Sequence, residues 1–221
     1  MNRLRRFAAH AALWGFVAAA AFCGARPEAV ATGFSHRSHP LAWLGASGMP
    51  DATVFNLAGF VLPGLLAAVA LWSLRSALPA HARWSARIGA QLTMLSALAF
   101  AAQGLLPLDL EDPDGAANAA HGLAWTLWWL TFAVGGLALG LGSRGTSPLR
   151  RGFAMATVAA AIAVPALALL APIWWPNAFA QRAAFVLWFV WVAGVGGVAG
   201  GVEPTNRVSA SGPGSSPRAG R

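Results

Sequence analysis

The sequence has very little charge and only one cysteine. Charged residues make up 10% of its 221 residues, lysine is absent, and all 15 basic side chains are therefore arginine. The single cysteine, Cys23, excludes an internal disulfide and a cysteine-based metal cluster. The chain also lacks a phosphate-binding loop, a dinucleotide-binding fingerprint, a nucleophile elbow and a haem attachment motif. These absences exclude the enzyme classes that such a motif would identify.

What the sequence has instead is six apolar runs that contain no Asp, Glu, Lys or Arg. Each is close to the roughly 20 residues that a helix needs to cross about 30 Å of hydrocarbon. In lipid only helices and closed barrels satisfy the backbone, and barrel strands would be shorter and alternating. The sequence therefore predicts an all-α bundle of six transmembrane helices, at residues 7–25, 54–74, 88–106, 119–141, 152–171 and 183–202.

The first run has a second interpretation. Its arginine-rich start, its apolar stretch and the small residues after Cys23 are typical of a cleaved secretory signal. The apolar stretch is longer than that of most signals, which favours a retained helix.

The arginines lie mostly on one side of the predicted membrane. Twelve of the 15 flank the runs at the two termini and in the second and fourth connections. The other connections hold only Arg26, Arg37 and Arg182. Because excess arginine stays in the cytoplasm, both termini are predicted inside, and the net charge of +8 orients helices rather than binding nucleic acid.

This orientation predicts the organisation of the rest of the chain. Residues 26–53 form a long outer loop, and residues 203–221, rich in Pro, Gly and Ser, are predicted to be a disordered cytoplasmic tail. The lysine-free, alanine-rich composition indicates a bacterium, and hence a multi-pass protein of the cytoplasmic (inner) membrane with membrane lipids as its partners.

Polar side chains collect in three places at the predicted outer boundary. They are the "FSHRSHP" stretch at 34–40, the residue Asn56 that opens the second helix, and the segment from Gln103 to His121. Because all three lie at the same membrane depth, we expect one site. Its predicted ligand-binding residues are His39, Asn56, Asp109, His121, Trp125 and Trp128, with His36, Arg37 and Asp112 as second choices.

His121 heads a stripe at helical spacing. The stripe continues through Trp125, Trp128, Trp129 and Phe132. One interpretation is a pocket with a polar head and an apolar floor, which suits a lipid or an isoprenoid. The other is ordinary helix packing, since apolar stripes occur on any buried helix.

The histidines raise the question of zinc. His36, His39 and His121, with Asp112 or Asp109, offer the nitrogen and oxygen ligands that zinc accepts. The spacing of His36 and His39, followed by Pro40, lacks the helical HExxH pattern of zinc proteases. The alternative is a solvated loop whose side chains bind lipid phosphates.

Glycines and prolines punctuate the helices. Gly136 and Gly140 in the fourth run, and Gly196 with Gly200 and Gly197 with Gly201 in the sixth, share helix faces and predict close packing. The sixth helix is accordingly a candidate surface for a homo-oligomer. Pro63 and Pro165 predict kinks.

Two stretches carry a family resemblance. "HPLAWLGASGMPDATVFNLAGFVLPGLL" (39–66) and "GLLPLDLEDPDGAANAAHGLAWT" (104–126) resemble the six-helix membrane family catalogued as domain of unknown function 998. The family pattern corresponds here to His39, Pro40, Leu44 and Gly45, then Asn56, then Pro107 and Asp109, then His121, within residues 34–201. Ala42 and Trp43 replace the serine and acidic residue of many relatives, so no serine nucleophile is implied. The resemblance implies the six-helix fold and no established activity.

Three functions are compatible with these patterns. The first is a noncatalytic protein that binds or senses a lipid or small ligand, with His121 and Asp109 holding its polar group. The second is a membrane-embedded lipid hydrolase, with or without a metal, in which Asp109 orients His121 as a general base. The third is a transporter, against which stands the absence of charged residues from the apolar runs.

Overall fold

The computed structural model describes residues 2–143 and 151–198, and within these ranges the regular structure is entirely helical. The α-helices are α1 (Asn2–Ala25), α2 (Pro27–Ala31), α3 (Ala52–Phe55), α4 (Leu62–Ala77), α5 (Trp84–Leu105), α6 (Ala116–Gly142), α7 (Arg151–Leu169) and α8 (Asn177–Val198). A π-turn at Asn56–Val61 joins α3 to α4, and two short 3₁₀ helices occupy Leu41–Gly45 and Ala171–Ile173.

Six helical segments of the described residues are long and apolar enough to cross a membrane. They are α1, the continuous stretch Ala52–Ala77, α5, α6, α7 with its 3₁₀ extension, and α8. The predicted all-α architecture, with six helical segments long and apolar enough to cross a membrane, is confirmed for the described residues. The predicted end of the last helix at 202 and the tail 203–221 lie outside the described residues.

The helices extend beyond several predicted boundaries. α1 begins at Asn2 rather than 7, and α8 begins at Asn177 rather than 183. An apolar run records only the residues that face hydrocarbon. Polar residues such as Gln181 continue the backbone hydrogen bonding of the helix beyond the apolar run. The apolar runs therefore predict helices that are too short.

Aromatic rings fill the centre of the bundle. Phe100 of α5 contacts Phe16 of α1, Phe60 of the π-turn, and Phe185 and Trp188 of α8, with ring centroids 5.1–5.9 Å apart. All five side chains are buried. Rings contribute large buried area and edge-to-face contacts, so this cluster joins four of the six segments.

Glycines set the closest helix approaches. A Cβ atom on Gly89 of α5 would lie 2.6 Å from the Gly135 carbonyl oxygen and against the backbone of Leu139 on α6. Gly136 and Gly140 face α7 at similar range, with Cβ positions 2.7 Å from Ala161 Cβ and 2.6 Å from Val158 Cγ2. The predicted packing role of Gly136 and Gly140 is confirmed.

The glycines of the last helix divide between two environments. Gly196 packs on α1, where its Cβ position is 3.2 Å from Ala9 Cβ and from Arg6 Cα. Gly197 faces open space, with no heavy atom within 4 Å. Gly200 and Gly201 lie outside the described residues. The helix face that contains Gly196 therefore packs within the chain. Of the described glycines in the predicted oligomer surface, Gly197 is the one that stays uncovered.

The two helix prolines lie in different surroundings. Pro63 is the second residue of α4, just after the π-turn at which the second span departs from regular α geometry. The kinks expected at Pro63 and Pro165 stay predictions. α7 continues through Pro165 to Leu169. The π-turn is the feature that matters for the site, because its first residue is Asn56.

The α5–α6 crossing gives a direct test of the packing. Gly89→Ala puts a methyl group into the backbone of α6, and overpacking of this kind costs about 1–3 kcal/mol. We expect a lower melting temperature for the detergent-solubilised protein. Gly15→Ala, in α1 with nothing within 4 Å of its Cβ position, is the matched control and loses no stability. Equal melting temperatures of the two variants would contradict the packing.

Candidate functional site

Residues 26–51, here called the cap segment, fold over one end of the bundle, which we call the cap end. The segment contains α2, a turn through 32–39 and the 3₁₀ helix Leu41–Gly45. Its side chains Phe34, Leu41 and Leu44 are buried against the bundle. Ser47 N–H donates to the Leu108 carbonyl at 2.8 Å, which joins the segment to the α5–α6 loop. The cap segment is thus a packed layer rather than a free loop.

An ion pair joins the two ends of the cap segment. Arg26 Nε lies 3.1 Å from Asp51 Oδ2 and 3.2 Å from Glu28 Oε2. The hydrogen bond to Glu28, followed by the charge of Asp51, raises the pKa of Arg26. Asp51 has a φ of +56°, in the left-handed region. Because these side chains are substantially exposed, the pair contributes little stability but fixes where the segment begins and ends.

Within "FSHRSHP", His39 organises the turn. Its Nδ1 atom accepts a hydrogen bond from Ser35 N–H at 3.1 Å, and its ring lies against Trp43 with centroids 4.3 Å apart. The Arg37 N–H donates to Ser35 Oγ at 3.2 Å. The side chains of this stretch therefore shape the loop locally, and His39 uses one ring nitrogen to do so.

Two residues of α8 hold the cap segment down. Arg182 Nη2 donates to the His39 carbonyl at 3.0 Å, and Gln181 Oε1 accepts from Leu41 N–H at 3.0 Å. Arg182 Nη1 donates to the Ala178 carbonyl of its own helix at 2.7 Å. The sequence reasoning missed both residues as site components. The available signal was a Gln-Arg pair immediately before the sixth apolar run.

Asn56 ties the π-turn to the cap segment. Its Nδ2 atom donates to the Gly45 carbonyl at 2.8 Å, and both residues are buried. A Cβ atom on Gly45 would collide with the Asn56 amide. Glycine is therefore required at 45 by close approach. Asn56 uses its Nδ2 atom for this bond and also lines a pocket of about 490 Å³, so its predicted ligand-binding role stays a prediction.

The acidic loop between α5 and α6 is shaped by its own backbone. Asp109 Oδ1 accepts from the Glu111 N–H at 2.9 Å and the Asp112 N–H at 3.4 Å. The Asn118 amide accepts from Asp109 N–H and donates to the carbonyls of Asp109 and Asp112. The carboxylate of Asp109 is therefore committed to the loop, and the predicted pairing of Asp109 with His121 is not made.

His121 closes the end of α5. Its Nδ1–H donates to the Leu106 carbonyl at 2.7 Å, and the Gln103 backbone is a second partner of the ring. The last carbonyls of a helix have no partner within the helix, so a side-chain donor there satisfies them. His121 is 8% exposed, and its ring meets Phe60 edge-on.

A groove of about 400 Å³ opens at the cap end, and we call it the cap groove. Its walls come from the cap segment, the α5–α6 loop, α6, the end of α7 with its 3₁₀ helix, and α8. Its polar lining residues are Asn118, His121, Asn177 and Gln181. Its apolar lining includes Leu108, Trp125, Ala168 and Pro172. Among the described residues, no Asp, Glu, Lys or Arg lines it.

The predicted site residues therefore divide. His121 and Trp125 line the cap groove, and Asp109 lines a neighbouring pocket of about 430 Å³ with Pro40 and Trp43. His39 and Asn56 lie in the same end of the bundle but outside the groove lining. Trp128 is fully buried, against Trp125, Phe185 and Trp188, so it belongs to the aromatic core and not to the groove.

The predicted zinc ligands are not assembled. Among the described residues, no three His, Cys, Asp or Glu side chains lie close enough together to hold a metal ion. His39 Nδ1 is occupied by Ser35 and His121 Nδ1 by Leu106, while His36 and Asp112 are exposed. The residues present do not fit a resident zinc ion.

No family model, no curated protein and no solved structure matches the chain. The resemblance noted in the sequence therefore stays a prediction, and the function has to be argued from the chain's own geometry.

His36 gives the cap segment a dependence on pH. Its Nδ1 atom lies 3.4 Å from Arg182 Nη2, and burial, followed by the charge of Arg182, lowers the pKa of His36 below its usual 6.5. His36 therefore binds a proton more readily when the cap segment is unfolded than when it is packed on α8. The contribution of His36 to the docking of the cap segment is therefore fully present above pH 6.5 and is lost as the pH falls through the folded pKa.

We expect hydrogen exchange of residues 36–41, corrected for intrinsic rates, to increase between pH 7.5 and pH 5.5. His36→Gln should reduce that increase, because the variant lacks the side chain whose protonation opposes docking of the cap segment. The same pH response in wild type and variant would contradict the role of His36.

Proposed function

We propose that the protein is a noncatalytic, multi-pass membrane protein that binds or senses a lipid or small amphiphile in the cap groove. The observation that carries this proposal is the composition of the groove, which combines His121, Asn177 and Gln181 with the indole of Trp125. A polar wall beside an apolar one suits a molecule with a polar head and an apolar remainder.

The depth of the groove supports an amphiphile. His121 lies near the start of α6, Ala168 near the end of α7, and Asn177 opens α8. The ends of membrane-spanning helices coincide with the head-group region of a bilayer about 30 Å thick in its hydrocarbon. The head group of a lipid bound in the groove would therefore stay at the depth of the head-group region of the bilayer.

The size of the groove fits part of such a molecule. Its volume of about 400 Å³ lies within the roughly 300–1,000 Å³ typical of small-molecule pockets. That volume suits a head group and the first carbons of its chains, with the remaining chain in the bilayer.

Binding is favoured over hydrolysis by the surroundings of His121. A general base of the predicted kind needs a carboxylate to orient it. In this chain the Leu106 carbonyl orients the His121 ring, and Asp109 is bonded to the loop backbone. The described residues thus offer binding groups without the predicted dyad.

We place the cap end outside the cell, in the periplasm of a bacterial inner membrane, with both termini in the cytoplasm. The support is the arginine distribution, which leaves three of 15 arginines in the connections at this end. Membership of the family catalogued as domain of unknown function 998 also stays a proposal. Its support is that His39, Asn56, Asp109 and His121 all lie at the cap end.

Gly122→Leu tests the binding role by filling the groove. Gly122 lines the groove, and nothing lies within 4 Å of its Cβ position, so a side chain can start there and is expected to occupy groove volume. Lipid that co-purifies with wild type, measured by native mass spectrometry, should fall at least about tenfold, a loss of roughly 1.4 kcal/mol in binding.

The control for this variant is Gly15→Leu, which makes the same change in open space on α1, away from the groove. It should retain the wild-type amount of lipid. If Gly122→Leu also retained it while melting at or above the wild-type temperature, the cap groove would not be the binding site.

Cysteine labelling tests the orientation. Cys23 is the only cysteine, so a Cys23→Ala background can carry Ser38→Cys in the exposed turn of the cap segment or Ala80→Cys in the exposed α4–α5 connection. A membrane-impermeant maleimide applied to intact spheroplasts should label the first and not the second. The reverse pattern would invert the proposed topology.

A further inference from the structure

Resting on the proposed function, we infer that the cap groove selects an amphiphile whose head is uncharged and rich in hydrogen-bond acceptors. The hydroxyl and ester oxygens of a diacylglycerol are such a head. A lipid with the same chains and an ionised phosphate head is discriminated against.

The charge of the lining is the first argument. The described lining residues of the cap groove include four polar side chains and no acidic or basic one apart from His121. Moving an ionised group out of water costs several kcal/mol unless a paired charge compensates it. His121 donates its Nδ1–H to Leu106, so that proton is not available to a phosphate.

The nearest fixed cation is already engaged. Arg182 follows Gln181 in α8, yet it is not part of the groove lining. Its two terminal nitrogens donate to the carbonyls of Ala178 and His39. Turning the guanidinium toward a ligand would release the cap segment, so Arg182 holds the groove wall and does not bind a phosphate.

The neighbouring loop makes the local field unfavourable to anions. Leu108 lines the groove, and the four residues after it in the chain include Asp109, Glu111 and Asp112. Among the described residues these carboxylates make no ion pair, because the ion pairs found there are those of Arg26. Unpaired like charges close to a phosphate head oppose its binding.

The remaining hydrogen-bonding capacity is uncharged, and the NH₂ groups of Gln181 and Asn177 supply its donors. Gln181 uses its amide oxygen to accept from Leu41 N–H, which leaves its NH₂ group for a ligand. Asn177 is exposed and makes no side-chain hydrogen bond within the described residues. Asn118, in contrast, has both amide atoms bonded to the loop. Neutral N–H donors facing a groove match carbonyl and hydroxyl oxygens.

The test compares two lipids that differ only in the phosphate. Purified protein in detergent is titrated with dioleoylglycerol and with dioleoyl phosphatidic acid, and the bound fraction is read by native mass spectrometry. We expect wild type to bind dioleoylglycerol at least about tenfold more tightly. Gly122→Leu should lose this binding, and Gly15→Leu should keep it.

A variant with a new cation tests the charge argument directly. Asn177→Arg, at the exposed first residue of α8, should bring phosphatidic acid to at least the affinity of dioleoylglycerol. The shift toward phosphatidic acid is measured relative to Asn177→Gln, which lengthens the same side chain without adding a charge.

The outcomes separate the inference from the proposed function. Binding of phosphatidic acid as tight as that of dioleoylglycerol, blocked by Gly122→Leu, would overturn the head-group inference and leave the groove as a lipid site. Binding of both lipids that is unchanged in Gly122→Leu would overturn both. Failure of wild type to bind dioleoylglycerol would overturn the inference, and the co-purified lipid would then decide the function.

Discussion

A chain that leaves and re-enters hydrocarbon has to satisfy its own backbone hydrogen-bonding groups, because lipid supplies no partners. Within the spans the helices do this by themselves. At the cap end the helices stop, and side chains form hydrogen bonds with the backbone groups there. Asn56 bonds to Gly45, His121 to Leu106, Asn118 to Asp109 and Asp112, and Gln181 to Leu41. Each bond joins a side chain to the backbone of a neighbouring segment.

This requirement explains why polar residues collect at the cap end. In sequence, such a collection resembles a catalytic or metal site. In space, most of its members complete the ends of helices and the turns between them. The cap groove is what lies between these tied segments. The residues of its proposed binding role also build it: Gln181 and His121 are positioned by backbone contacts and still present part of their surface to the groove.

The sequence predicts the architecture well, because a charge-free run of about 20 residues has few alternatives to a membrane helix. It also identifies His121 and Trp125 by their shared helix face. It assigns Trp128 to the same pocket, since periodicity gives the face of a helix and not the depth at which a ring becomes enclosed by Phe185 and Trp188.

The contributions of Gln181 and Arg182 could not be predicted. Both act on a segment about 140 residues earlier in the chain. Such a contact depends on how α8 packs beside α1 and α6, and no local pattern records it. The same limit applies to His121, whose partner Leu106 follows the end of another helix.

The π-turn between Phe55 and Leu62 has a consequence for the length of the chain. A π-turn holds one residue more than α geometry requires, and each residue of an α-helix turns the chain by about 100°. Loss of one residue there would restore a regular helix and rotate the segment that precedes it about the helix axis. Asn56 would then point away from Gly45, and the hydrogen bond between the cap segment and the second span would be lost. Through this stretch the spacing of residues counts as much as their identity, so a deletion would be worse tolerated than most substitutions.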